Sequence, residues 1–110
     1  MYPMKIVFPK QIKILSHTFT VVQRKDEAGG SFDFSRNEIV IGTMFLKSDP
    51  AYTFSIICHE VMEAIAVITA TRFSDTSVQG NYHFVMDHKQ FEINISLFAS
   101  VIQEFLPKSK

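Results

Sequence analysis

The sequence predicts a single α+β domain spanning residues 1–110, and two kinds of hydrophobic periodicity predict it. In the first half, apolar and polar residues alternate as in half-buried β-strands. From Ala51 to about Phe73 no Gly or Pro occurs, and apolar residues recur every three or four positions, which is typical of a helix. A chain of 110 residues has the length of one domain with its own core.

The alternating half predicts a small antiparallel meander of about three strands. The first alternating stretch runs from Ile12 to Val21. Gly29-Gly30 is a turn signal, and the alternation then resumes from Phe32 to Ile41. We expect this meander to pack on the helix that follows.

Helix signals and one short strand complete the order of elements. Asp49, or Ser48 before it, is suited to cap the first helix, and Pro50 is suited to its first turn. The polar stretch from Ser74 to Asn81 predicts a loop. The stretch from Tyr82 to Met86 is short and β-prone, and it predicts one more strand.

Asp87 is a good N-cap for a closing helix that runs to about Leu106. We expect its apolar stripe to lie in the core; the stripe consists of Phe91, Ile95, Phe98, Val101, Ile102 and Phe105.

Composition excludes several classes of function. Eleven basic residues balance eleven acidic ones, so no strong field favours nucleic acid or an anionic membrane as a partner. A single cysteine, Cys58, excludes an internal disulfide and a Cys-rich zinc cluster, and fits a reducing cytoplasm. No stretch reaches the ~18 apolar residues of a membrane span. The oligomeric state is not indicated.

The first helix carries a motif with metal chemistry. His59 and Glu63 are four residues apart, so one helical turn places both side chains on the same face. The arrangement is a variant of His-Glu-x-x-His, in which two His bind zinc and the Glu acts as general base. Here Glu63 replaces the second His, and a carboxylate also binds zinc. The motif predicts a site for zinc, or another divalent ion, with Glu60 as the general base.

A third ligand must come from elsewhere in the chain. We select His88, because it opens a helix that could pack beside the first one. Glu92, one turn later, could be a further ligand or could orient His88. His83 on the short strand is an alternative third ligand, whereas we expect His17 to have a structural role. The alternative for the motif itself is a half-buried His59 beside a solvated acidic face.

The segment from Cys58 to Ile65, together with the later segment from Tyr82 to Phe91, resembles small zincin-like proteins of phages and prophages. The resemblance covers roughly residues 12–106. It implies a minimal metallopeptidase-like fold with three metal ligands, His59, Glu63 and His88, and with Glu60 as base.

Two functions are compatible with these residues. The first is a zinc-dependent hydrolase, most simply a metallopeptidase that acts on an extended peptide held by strand addition along Glu38–Gly42. The second is a non-catalytic zincin-like binding or accessory protein of phage type, in which the metal is structural or absent.

Overall fold

The structure is a computed structural model that describes residues 4–74 and 82–108, and it confirms the α+β class. The elements in chain order are β1 (Gln11–Ile14), β2 (His17–Arg24), β3 (Gly30–Asp33), β4 (Glu38–Gly42), α1 (Pro50–Ile68), β5 (Arg72–Ser74), β6 (Tyr82–Phe84) and α2 (His88–Ile102), which a short 3-10 turn, Gln103–Phe105, extends. Most of the predicted loop from Ser74 to Asn81 lies outside the described residues.

The main sheet is mixed, so the prediction of an antiparallel meander was wrong. Its strand order is β1-β2-β4-β3. The two hairpins β1/β2 and β3/β4 are antiparallel, but β2 and β4 run parallel, with Val21 opposite Ile39. Period-two alternation identifies strands without identifying their neighbours. β4 is therefore an interior strand, and β3 lies at the edge.

Helix α1 packs on this sheet, and the core forms between them. Asp49 caps it as predicted, since its Oδ1 accepts from the backbone N–H of Tyr52 at 3.2 Å. Fully buried residues recur along the face that contacts the sheet: Ile57, Val61, Ala64 and Ile65. Each buried Ile or Val stabilises the fold by about 1.5–3 kcal/mol. By length and composition α1 could also span a membrane, a property that apolar core helices share.

Helix α1 ends at Ile68, five residues before the predicted end. The next turn closes when the N–H of Thr71 donates to the carbonyl of Ala66 at 2.8 Å, with Ala70 in the left-handed region at φ 58°. The chain then leaves the helix axis, and Arg72–Ser74 pairs with β6 as an antiparallel ribbon. This pairing with a later segment overrides the helical pattern of the sequence.

Helix α2 begins where predicted, because Oδ1 of Asp87 accepts from the N–H of Gln90 at 2.8 Å. The prediction that its whole apolar stripe is core was wrong at two positions. Phe91 is 50% exposed and Ile95 is 44% exposed. The helix faces the core through Asn94, and these two residues lie about 60° and 100° further around it.

Candidate metal centre

The motif places three side chains close together on α1, and of these only His59 is well exposed. His59 has a side chain that is 65% exposed, whereas those of Glu60 and Glu63 are 8% and 15% exposed. Because successive residues turn about 100°, Glu63 lies about 40° from His59 and Glu60 lies about 100° from it. His59 and Glu63 therefore share one ridge of the helix, and Glu60 points towards the sheet.

Both ring nitrogens of His59 face carboxylates. Nδ1 lies 3.0 Å from Oε2 of Glu60, and Nε2 lies 3.6 Å from Oε1 of Glu63. When Glu60 is ionised it accepts the Nδ1 proton, which leaves the lone pair on Nε2. A separation of 3.6 Å is too long for a hydrogen bond. With His59 in this tautomer, two electron-rich atoms face each other, an arrangement that a cation between them would stabilise.

The spacing of these two atoms fits a bound metal ion. Two ligands of a tetrahedral zinc, each about 2.0–2.2 Å from the ion, lie about 3.4 Å apart. The 3.6 Å between Nε2 of His59 and Oε1 of Glu63 is close to this value. Nδ1 of His59 contacts the carboxylate of Glu60, and in proteins that bind metal through a histidine the second ring nitrogen commonly has such a partner.

Arg72 is a residue of this site that sequence reasoning missed. Its Nη1 donates to Oε2 of Glu63 at 2.6 Å, and its guanidinium lies 3.9 Å from the ring centroid of Tyr82. Arg72 follows Glu63 by nine residues, and only the turn after α1 brings it back to the helix. No local spacing signals such a contact.

Glu60 is the most buried ionisable group of the site. Burial raises the pKa of its carboxyl above the ordinary value of 4.5, and the contact with His59 opposes this shift only in part. β3 packs directly beside it, since a Cβ on Gly30 would lie 3.1 Å from Cγ of Glu60. The carboxyl is therefore held between the helix and the edge strand of the sheet.

The structure does not bring His88 to His59 and Glu63. Nδ1 of His88 instead lies 3.0 Å from Oε1 of Glu92, and their side chains are 85% and 65% exposed. Within residues 4–74 and 82–108, no three His, Cys, Asp or Glu side chains form a group that could hold a metal ion. The three-ligand site stays a prediction; of its members, the structure brings together His59 and Glu63.

The other two histidines lie elsewhere. His17 is half-buried among aromatic rings, with its centroid 6.3 Å from that of Phe19 and 5.7 Å from that of Phe34. His83 is opposite Phe73 in the β5/β6 ribbon, so alternation places it on the face away from Arg72. Neither contributes to the contacts described at His59.

A cavity of about 290 Å³ opens beside His59 and Glu63. Apart from these two, its lining residues are mostly apolar: Met62, Ala66, Phe84, Met86 and Asn94. The motif on α1, the ribbon of β5 and β6, and α2 meet at this cavity.

Comparison with protein-family models, with curated proteins and with solved structures found no match to this chain.

Proposed function

We propose that this protein is a zincin-like, zinc-dependent hydrolase, and most specifically a metallopeptidase. The observation that carries the proposal is the approach of Nε2 of His59 to Oε1 of Glu63 at 3.6 Å. Both atoms are good zinc ligands, they lie on one helix face, and a cavity opens next to them. A ridge of this kind offers a substrate access to the atoms that would hold the metal.

His59 and Glu63 would hold the metal, with His88 as the proposed third ligand. His88 would have to exchange its contact with Glu92 for the metal. Zinc would supply a Lewis acid and a bound water with a pKa near 7; another divalent ion is the alternative.

Glu60 has two roles in this proposal. Its Oε2 accepts from Nδ1 of His59, which keeps the lone pair of His59 on Nε2. As general base, its carboxylate has to leave Nδ1, which points away from Nε2 on the imidazole ring; it then takes a proton from the attacking water and returns it to the amine nitrogen as the C–N bond breaks. Its raised pKa suits this transfer, because a base works best when its pKa approaches the operating pH.

A peptide substrate would add to β3. The predicted use of Glu38–Gly42 for strand addition was wrong, since β4 is already paired with β2 on one side and β3 on the other. Among the described residues, β3 pairs with β4 alone. It also touches α1, where Gly30 packs against Ile56 and Glu60. An extended peptide on this edge would run past the motif.

The test is Glu60→Gln, measured on a library of internally quenched peptides. We expect the variant to keep its metal and its fold and to lose turnover, since Gln cannot accept the proton. The matched control is Glu104→Gln, at an exposed carboxylate, which should keep most of the turnover. Equal turnover in wild type and Glu60→Gln would remove Glu60 from the mechanism.

The second candidate is a non-catalytic accessory protein of phage type, acting in the cytoplasm through a protein partner. It is favoured by one observation, that no third ligand joins His59 and Glu63 within the described parts of the chain. It predicts that no peptide of the library is cleaved at any zinc concentration, while the chain still co-purifies with a partner.

A further inference from the structure

The ridge formed by His59 and Glu63 has different surroundings on its two sides. Measured around the α1 axis from His59, Ile56 and Glu60 lie about 60° and 100° to one side, where β3 packs. Met62 and Ala66 lie about 60° and 20° to the other side, where the cavity opens. The motif therefore lies between an edge strand and an apolar cavity.

The cavity offers apolar walls. Met62 and Ala66 form its α1 side, and Phe84 and Met86 form the opposite side. Its volume of about 290 Å³ is at the lower limit of the roughly 300–1,000 Å³ of small-molecule sites. The space therefore suits one large side chain better than a whole small-molecule ligand.

Asn94 is a polar lining residue, and its amide is already bonded within the protein. Oδ1 accepts from Nε2 of Gln90 at 2.8 Å, and Nδ2 lies 3.4 Å from Oγ1 of Thr71 and 3.7 Å from Sδ of Met86. Asn94 is only 1% exposed. A charged or polar side chain entering the cavity would lose water without gaining these groups as partners, which is costly.

We infer that this cavity, the Met62–Met86 pocket, receives one large apolar side chain of the peptide substrate, such as that of Leu, Met or Phe. The inference rests on the proposed function, because it takes the occupant from a peptide that lies on β3 and crosses the ridge. Successive side chains of an extended peptide point to opposite faces, so a residue beyond the ridge can direct its side chain into the pocket. The apolar walls select that side chain.

Binding to the pocket can be measured without metal and without turnover. The two probes are N-acetyl-phenylalanine amide and N-acetyl-aspartic acid α-amide, which keeps its side-chain carboxylate. Each is titrated into metal-free protein that carries ¹³C-methyl methionine, and binding is followed by NMR. We expect saturable shifts of the Met62 and Met86 methyl signals with the phenylalanine probe, and binding about tenfold weaker or more with the aspartate probe. The exposed Met4 and Met44 are internal controls that should not shift.

A pair of variants tests whether the phenylalanine probe binds in the Met62–Met86 pocket. Ala66→Leu places a larger side chain in the pocket and should abolish the shifts, whereas Ala51→Leu, on the same helix but exposed, should leave them unchanged. Equal shifts with both probes, or no shift at Met62 and Met86 in wild type, would overturn the inference.

The test of the pocket and the test of the hydrolase can fail independently of each other. Peptide cleavage without any preference for an apolar residue near the cut bond would overturn the pocket inference while leaving the hydrolase intact. Failure to cleave any peptide would count against the hydrolase, and selective binding of the phenylalanine probe would still support an apolar pocket beside the motif.

Discussion

Arg72 binds the second carboxylate oxygen of Glu63, with Nη1 2.6 Å from Oε2, while Oε1 of Glu63 faces His59. The proposed metal ligand is thus held by a cation on the side away from the metal position. The guanidinium orients the carboxylate, and it also lowers the negative charge available to a metal ion.

Arg72→Met should therefore have opposite effects on the two states of the protein. The metal-free fold should lose about 1–2 kcal/mol of unfolding free energy, because Glu63, 15% exposed, loses a charge-assisted hydrogen bond. Zinc affinity should rise, since a nearby positive charge is removed. Urea unfolding without metal and calorimetric zinc titration measure the two effects. Arg24→Met, at an exposed position of β2, is the control; a fall in zinc affinity specific to Arg72→Met would contradict the charge argument.

Glu60 should make stability depend on pH. Because burial raises its pKa in the folded protein above 4.5, the fold favours the protonated carboxyl. The contribution is fully present below the unfolded pKa and is lost as the pH rises through the folded pKa. The unfolding free energy of wild type minus that of Glu60→Gln should therefore fall as the pH rises from 4 to 8. Urea unfolding across this range measures it, and a difference that rises with pH would show that His59 outweighs burial.

Gly30 should be required for the close approach of β3 to α1. A Cβ at this position would lie 2.7 Å from Cγ2 of Ile56 and 2.8 Å from the backbone carbonyl of Val40, which cannot move without disturbing the sheet. Gly30→Ala should cost about 1–3 kcal/mol. Gly29→Ala meets nothing within 4 Å and should stay within about 0.5 kcal/mol of wild type. Equal stability of the two variants in urea unfolding would contradict the packing described.

The turn after α1 should be improved by glycine. Ala70 adopts φ 58°, a conformation that costs a residue with a Cβ about 1–2 kcal/mol. Ala70→Gly should therefore stabilise the protein by about 1 kcal/mol. The same change at Ala99, exposed within α2, should destabilise by about 0.5–1 kcal/mol. Thermal unfolding of both variants measures this, and a shared sign would contradict the left-handed turn.

Local signals in the sequence predicted most elements, but not their partners. The caps Asp49 and Asp87 and the helix periodicity located the starts of both helices, because capping depends on adjacent residues. The parallel pairing of β2 with β4 was not predictable from alternation. The early end of α1 depends on the pairing of Arg72–Ser74 with a later strand.

The same distinction applies to the site. The i, i+4 spacing correctly placed His59 and Glu63 on one face, since helix geometry alone determines it. Arg72 reaches Glu63 through a turn and a ribbon, so its role required the three-dimensional structure. The part played by His88 depends on how α2 meets α1, and it stays a prediction.

Zinc titration of metal-free protein, followed by calorimetry, tests the central claim most directly. We predict one zinc per chain in wild type, loss of binding in His59→Ala and in Glu63→Gln, and unchanged binding in the exposed control Glu104→Gln. Loss of binding in His88→Ala as well would identify the third ligand. Wild type that binds no zinc, or variants at His59 and Glu63 that bind it as tightly as wild type, would contradict the claim that these two side chains form a metal site.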